Sequence, residues 1–309
     1  MAATYCKDRP GASRTVPGGL VVAQSGHVQT ESGELFYERR GEPRGAPLVC
    51  VHGGPGFTSI YLEPLFDLAD SFEVVCYDQA GCGRARCGGA RKLFSLSSFV
   101  DELEQLRRAL RVESMHLFGH SFGGAIIGEY ILAHPERVRS AIFACVSIDI
   151  PRWVADGQRL ASKLPLMTRM ILREGERSGN LSSAEYQRAL SAYYDKHIYG
   201  ISPLPECLQR SIELADAVTY RTVWGENELV VSGMVREYSL SPRLPEIICP
   251  TLFTCGRNDE ATPEAHQFFA SQVVGARCVV HEASAHHPHL TERERFVGLV
   301  RDFVSSIKA

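Results

Sequence analysis

The stretch GHSFGG, Gly119–Gly124, sets one serine among glycines, with the apolar run SMHLF (114–118) before it and the helical pattern GGAIIGEYILAHPERV (123–138) after it. A G-x-S-x-G string alone also forms the tip of many ordinary turns. Here strand character precedes the string and helix character comes after it, so Ser121 is expected on a sharp strand-to-helix turn. Gly119 and Gly123 would then keep the two elements from colliding. Such a turn thrusts the hydroxyl out at a helix N-terminus, where backbone amides face any negative charge that develops.

Outward from this turn, short apolar runs rich in β-branched and aromatic residues recur. They are LVVAQ (20–24), ELFYER (34–39), PLVCVH (47–52), FEVVCYD (72–78), SMHLFG (114–119), VRSAIFACV (138–146), PTLFTCG (250–256) and ARCVVHEA (276–283). The first two read as an antiparallel opening. From Pro47 onward strands alternate with helices, which predicts an α/β fold with a mostly parallel sheet covered on both faces. Phe99, Leu103, Leu106 and Leu110 recur at helical spacing behind an N-cap at Ser97 or Ser98. TERERFVGLVRDFVSSI (291–307) reads as an amphipathic C-terminal helix. Between Pro151 and Leu244 the alternation stops and the chain reads as several helical segments, an insertion long enough to form a lid. The expected organisation is a core over 1–150, with a loose arm at 1–18, a helical cap over 151–244 and the rest of the core over 245–309.

The 309 residues are 44% hydrophobic and 22% charged with a formal charge of −3. That balance excludes a nucleic-acid-seeking basic surface and points to a small or neutral partner. No leader-like or membrane-spanning stretch is read, so the expected compartment is the cytosol. Cys50, Cys76, Cys145, Cys255 and Cys278 fall in strand-like runs, where a thiol packs as a small hydrophobe. Cys82 and Cys87 have no second pair at zinc spacing and are read as incidental loop thiols.

A serine hydroxyl needs a base to take its proton, and the base needs a carboxylate to fix its tautomer. After PTLFTCG comes RNDEATPEAH, which places Asp259 in a loop at a strand's carboxyl end. After ARCVVHEA comes SAHHPHLTERE, which places His286, His287 and His289 in the next such loop. The chain order Ser, Asp, His is that of an α/β hydrolase. Asp259 is the expected acid, because Thr262-Pro263 already supplies the following helix with a start; Asp149 is the alternative. His286 is the expected base. Three histidines in one loop also suggest a metal, but no carboxylate or cysteine stands at ligand spacing beside them, so no cofactor is expected. HGGPG (52–56) comes directly after the third strand, and the N–H groups of Gly54 and Phe122 are the expected oxyanion donors.

With these motifs in place, the chain from about Gly33 to its C-terminus resembles the prolyl iminopeptidase family of α/β hydrolases, which includes the tricorn-interacting aminopeptidases. The resemblance rests on HGGPG, YDQAGCGRA (77–85), GHSFGG, VWGENELVVSG (223–233), LPEIICPTLFTCGRNDEATP (244–263) and SAHHPHLTE (284–292). It implies an α/β-hydrolase fold with an inserted cap, and an acidic pair that holds the α-ammonium of the substrate. Glu228 in WGENEL and Glu260 in NDEATP match that pair. The implied activity is removal of an N-terminal proline or small apolar residue, through an acyl-enzyme, from a short peptide or amino-acid amide with a free amine. The chain departs from the family pattern at Ala80, Ala85 and Leu229, where Arg, Ser and Phe are usual. His120 and Phe122 beside the nucleophile are also unusual, and 196–206 lacks the Cys-Arg pair that often comes after the cap histidine. An esterase or carbon–carbon bond hydrolase of the same fold is the first alternative, and a non-catalytic receptor on this scaffold the second.

Overall fold

The computed structural model describes residues 23–85 and 95–307; the expected arm over 1–18, the start of the 20–24 strand and Cys87 lie outside the described residues. The strands are β1 (Ala23–Gln29), β2 (Glu34–Arg40), β3 (Leu48–Val51), β4 (Val74–Asp78), β5 (Met115–His120), β6 (Val138–Ala144), β7 (Gly225–Asn227), β8 (Val230–Val231), β9 (Thr251–Gly256) and β10 (Arg277–His281). All but β7 and β8 join one sheet in the order β1-β2-β4-β3-β5-β6-β9-β10. β1 and β2 pair antiparallel, as do β2 and β4. Every other pairing in that sheet is parallel.

The central strands are buried on both faces, which is why they read as continuous apolar runs rather than alternating ones. Period-two geometry sorts their side chains between two cores. Val49, Val51 and Leu117 face the cluster containing Phe99, Leu103, Ile126 and Tyr130. Leu48, Cys50 and Phe118 face Leu62, Leu65, Phe296 and Val300 on the opposite side. The first side is covered by α1 (Leu96–Ala109) and α2 (Gly123–Ala133). α1 starts earlier than expected: Ser95, not Ser97 or Ser98, is the N-cap. Its hydroxyl accepts from the Ser98 N–H and Ser98 Oγ accepts from the Ser95 N–H, so the cap satisfies two orphaned donors at once.

Between the adjacent strands β6 and β9 the chain leaves the sheet and forms α3 (Ile150–Ala161), α4 (Leu166–Ser178), α5 (Ala184–Tyr194), α6 (Glu206–Glu213) and α7 (Ala217–Val223). These carry their own cluster of Leu160, Leu172, Tyr186, Leu190, Tyr193 and Leu229. The segment is not wholly helical, because β7 and β8 form a hairpin whose turn is Glu228-Leu229. Asn227 Oδ1 holds that turn by accepting from the Leu229 and Val230 N–H groups. After β9 come α8 (Pro263–Gln272), α9 (Pro288–Thr291) and α10 (Arg293–Ser305). Among the described residues no helix is long and apolar enough to cross a membrane. Cys50, Cys76, Cys82, Cys145 and Cys255 are buried, and Cys278 is half-buried.

Candidate active site

β5 runs straight into α2, and the turn between them forces Ser121 into left-handed backbone at φ +53°. For an L-residue this costs roughly 1–2 kcal/mol, which the surrounding sheet and helix sustain. A Cβ on Gly119 would stand 2.6 Å from the Gly123 carbonyl oxygen, so the motif's outer glycines answer a backbone close approach. The Ser121 N–H is tied to the Ala144 carbonyl at 3.0 Å, which pins the turn to the next strand.

The loop after β3 is pinned beside it. His52 Nε2 accepts from the Gln79 N–H at 3.1 Å, which leaves Nδ1 to donate to the Gly53 carbonyl at 2.8 Å. Burial pushes the His52 pKa down, in keeping with this neutral form. Neither the Gly54 nor the Phe122 N–H donates to any acceptor among the described residues. Two such amides beside a serine are the donors a developing oxyanion needs.

His286 Nδ1 donates to Asp259 Oδ1 at 2.7 Å, so its Nε2 lone pair is left free. Ser121 and His286 line the same cavity, and no hydrogen bond joins the hydroxyl to the ring among the described residues. Such contacts commonly tighten only when substrate is present. The alternative acid, Asp149, is engaged elsewhere, since it caps α3 through the Arg152 N–H and accepts from Ser239 and Ser241.

The neighbouring histidines behave differently. His287 stacks on His120 at 5.4 Å, and His289 Nε2 donates to the Tyr61 carbonyl at 3.2 Å. Burial holds the pKa of both below the usual histidine range. His120, to which the sequence assigns no role, joins them: one nitrogen from each of these three rings lies within 4.8 Å of the others. Both nitrogens of His120 are already committed, however. Its Nε2–H donates to the His286 carbonyl at 2.8 Å, and its Nδ1 accepts from the Tyr61 hydroxyl at 2.9 Å. Tyr61 in turn accepts from the Gly53 N–H at 2.8 Å. One directional chain therefore connects the glycine loop, the residue before the nucleophile and the loop carrying the imidazole. No local pattern reveals it, since the partners are 59 and 166 residues apart in sequence.

The cavity measures about 350 Å³. Glu228 and Glu260 both line it, Glu228 from the turn of the β7–β8 hairpin. Glu228 accepts from the Tyr220 hydroxyl at 2.7 Å, and its carbonyl accepts from the Trp153 indole at 3.2 Å. Burial pushes its pKa up to about 7. Glu260 is raised well above the carboxylate range by burial first, and then by the charges of Glu228 and Asp259. Its Oε2 has no hydrogen-bond partner among the described residues. Two enclosed acids that oppose each other's ionisation form a seat for a cation. The segment inserted between β6 and β9 holds this corner in place, because the His197 carbonyl accepts from the Glu260 N–H and the Ile198 carbonyl from the His286 N–H.

Comparison with known proteins agrees with this architecture. The alpha/beta hydrolase fold family matches residues 46–293. A proline iminopeptidase of Heyndrickxia coagulans is 34% identical over 284 residues, covering 91% of this chain and 99% of the relative. The crystal structure of a Mycobacterium smegmatis proline iminopeptidase superposes with a TM-score of 0.84 at 29% identity, covering 91% of this chain and 98% of that one. That of VinJ superposes with a TM-score of 0.87 at 32% identity, covering 92% and 99%.

Proposed function

The chain belongs to the proline iminopeptidases within the alpha/beta hydrolase fold family, and from that premise we propose that Ser121, Asp259 and His286 make it a serine aminopeptidase. It removes an N-terminal proline or small apolar residue from a peptide-type substrate with a free amine. His286 Nε2 takes the hydroxyl proton as Ser121 Oγ attacks the carbonyl carbon. The negative oxygen is received by the Gly54 and Phe122 N–H groups, and Asp259 stabilises the imidazolium. His286 then gives its proton to the leaving nitrogen. Water, deprotonated by the same ring, releases the acyl group from Ser121.

The substrate's ammonium is held by Glu228 and Glu260. The observation that carries this reading is the opening of both acids into the cavity that Ser121 and His286 also line. A substrate without the charge would leave the acids unpaired, so internal peptide bonds are rejected. Residues 151–244 act as the cap that encloses the site and limits substrate length. Aminoacyl-naphthylamides compared with their N-acetylated and ester counterparts test the assignment. Strong selectivity for the free amine is expected, and equal turnover of the acetylated compounds would remove it.

A further inference from the structure

We propose that the part of the cavity over the His52–Gly56 loop is a binding arm for the leaving group, with an apolar side chain or an equivalent apolar amine as its occupant. This rests on the aminopeptidase reading above and extends it to the far side of the scissile bond. The cavity lining combines two sets of side chains: Glu228 and Glu260 with the Tyr194 and Tyr220 rings, and the apolar Phe57, Leu208, Ile212, Ala215 and Ala217. Tyr220 donates to Glu228 and Tyr194 accepts from its N–H, whereas Leu208 and Ile212 stand on α6, which a Thr58–Ser211 hydrogen bond ties to the loop carrying Phe57. Asp216, which also lines the cavity, caps α7 by accepting from the Thr219 N–H at 2.6 Å.

The nucleophile stands beside the glycine loop that leads into the apolar set. An added Cβ on Gly53 would lie 3.3 Å from Ser121 Oγ, and Gly54 and Phe57 continue that loop into the apolar set. Glu260, by contrast, is the residue next after Asp259, the partner of His286. The His286 ring contacts Trp153, which donates to the Glu228 carbonyl, and also His120 and His287, which pack on Tyr61. A substrate with its ammonium on the acids and its carbonyl at Ser121 therefore directs its leaving group toward Phe57 and Ile212.

The arm is fixed before substrate arrives. The Thr58 and Ser211 hydroxyls bond at 2.7 Å and Ser211 Oγ donates to the Thr58 carbonyl at 3.0 Å, which locks α6 to the loop. The volume of about 350 Å³ falls within the ~300–1,000 Å³ of sites that enclose a whole small ligand.

The test keeps proline at the N-terminus and varies the leaving group, using Pro-Gly, Pro-Ala, Pro-Leu and Pro-Glu amides beside prolyl methylamide and prolyl naphthylamide. The kcat/KM value is expected to rise roughly 10- to 100-fold from glycine to leucine, with glutamate lowest. Ile212→Asn should shrink the leucine-to-glycine ratio. A rise among the dipeptides identifies a peptide's second residue as the occupant, and a rise confined to the prolyl amides identifies a non-peptide amine. Rates independent of the leaving group overturn the proposal. So does a preference that tracks the size of the N-terminal residue instead, which would assign the arm to that side chain. N-acetylated Pro-Leu amide keeps the two readings apart: its ready cleavage defeats the aminopeptidase assignment, whatever the leaving-group trend.

Discussion

Replacing Glu228 by glutamine should cost the protein its preference for free amines while leaving its fold intact. The change is nearly isosteric, and the glutamine oxygen can still accept from the Tyr220 hydroxyl, now at 2.7 Å from Glu228. What is lost is one charged partner of the substrate ammonium, a contact worth ~1.5–3 kcal/mol. At about 1.36 kcal/mol per factor of ten, this is a fall of roughly 10- to 150-fold in kcat/KM. The structure places the outcome in the lower part of that range. The Glu228 charge is among the causes that raise the Glu260 pKa, so its removal lets Glu260 ionise more readily and recover part of the attraction. The assay is steady-state kinetics on prolyl naphthylamide and its N-acetylated counterpart, with unfolding curves to verify the fold. The free-amine substrate should lose far more than the acetylated one. Equal losses on both, or none on either, would refute the role of Glu228.

The acidic pair also predicts a pH profile. Burial raises Glu228 to about 7, so kcat/KM for free-amine substrates should climb as pH rises through that value. It should fall again above ~8, where a substrate α-amine loses its proton. Profiles for an ester without an amine should lack the limb that belongs to Glu228, and persistence of that limb would contradict the assignment. Stability depends on the same group with the opposite sign. The folded Glu228 pKa lies above the unfolded value of about 4.3, so the folded state binds the extra proton between the two. Its contribution to stability is greatest below that window and declines as pH rises toward 7, a decline Glu228→Gln should reduce in denaturant titrations. Tyr61→Phe orphans the Gly53 N–H and His120 Nδ1, both buried. A loss of ~1–3 kcal/mol per orphaned group is expected in chemical unfolding, together with slower turnover. An unchanged midpoint would show that the chain through His120 is not a structural tie.

The parts of the site legible in the sequence are those that depend on local chain geometry. Gly119 and Gly123 mark the elbow because only glycine permits the approach of β5 and α2, and HGGPG marks the loop that brings the Gly54 N–H, a proposed donor, into the cavity. Asp259 and His286 could be placed because each comes after a strand in the expected order. Glu228 and Glu260 came from family resemblance, since their pairing across the cavity has no local pattern. The β7–β8 hairpin was hidden because strands of three and two residues are too short to show a period. Tyr61 and His120 were missed because their value lies in contacts between remote segments, closed only when the loop after β3, the elbow and the His286 loop come together. Capping misled by two or three residues for a simpler reason: LFSLSS offers three serines, and the reciprocal pair of Ser95 and Ser98 outcompetes a cap further along.

The central claim is that Ser121 is the nucleophile, and mass mapping after reaction with a fluorophosphonate tests it most directly. The account predicts one adduct per chain on the peptide carrying Ser121, with loss of prolyl-naphthylamide turnover in proportion to labelling. Labelling that spares Ser121 while activity is abolished, or a Ser121→Ala protein that still hydrolyses the substrate at the original rate, would contradict it.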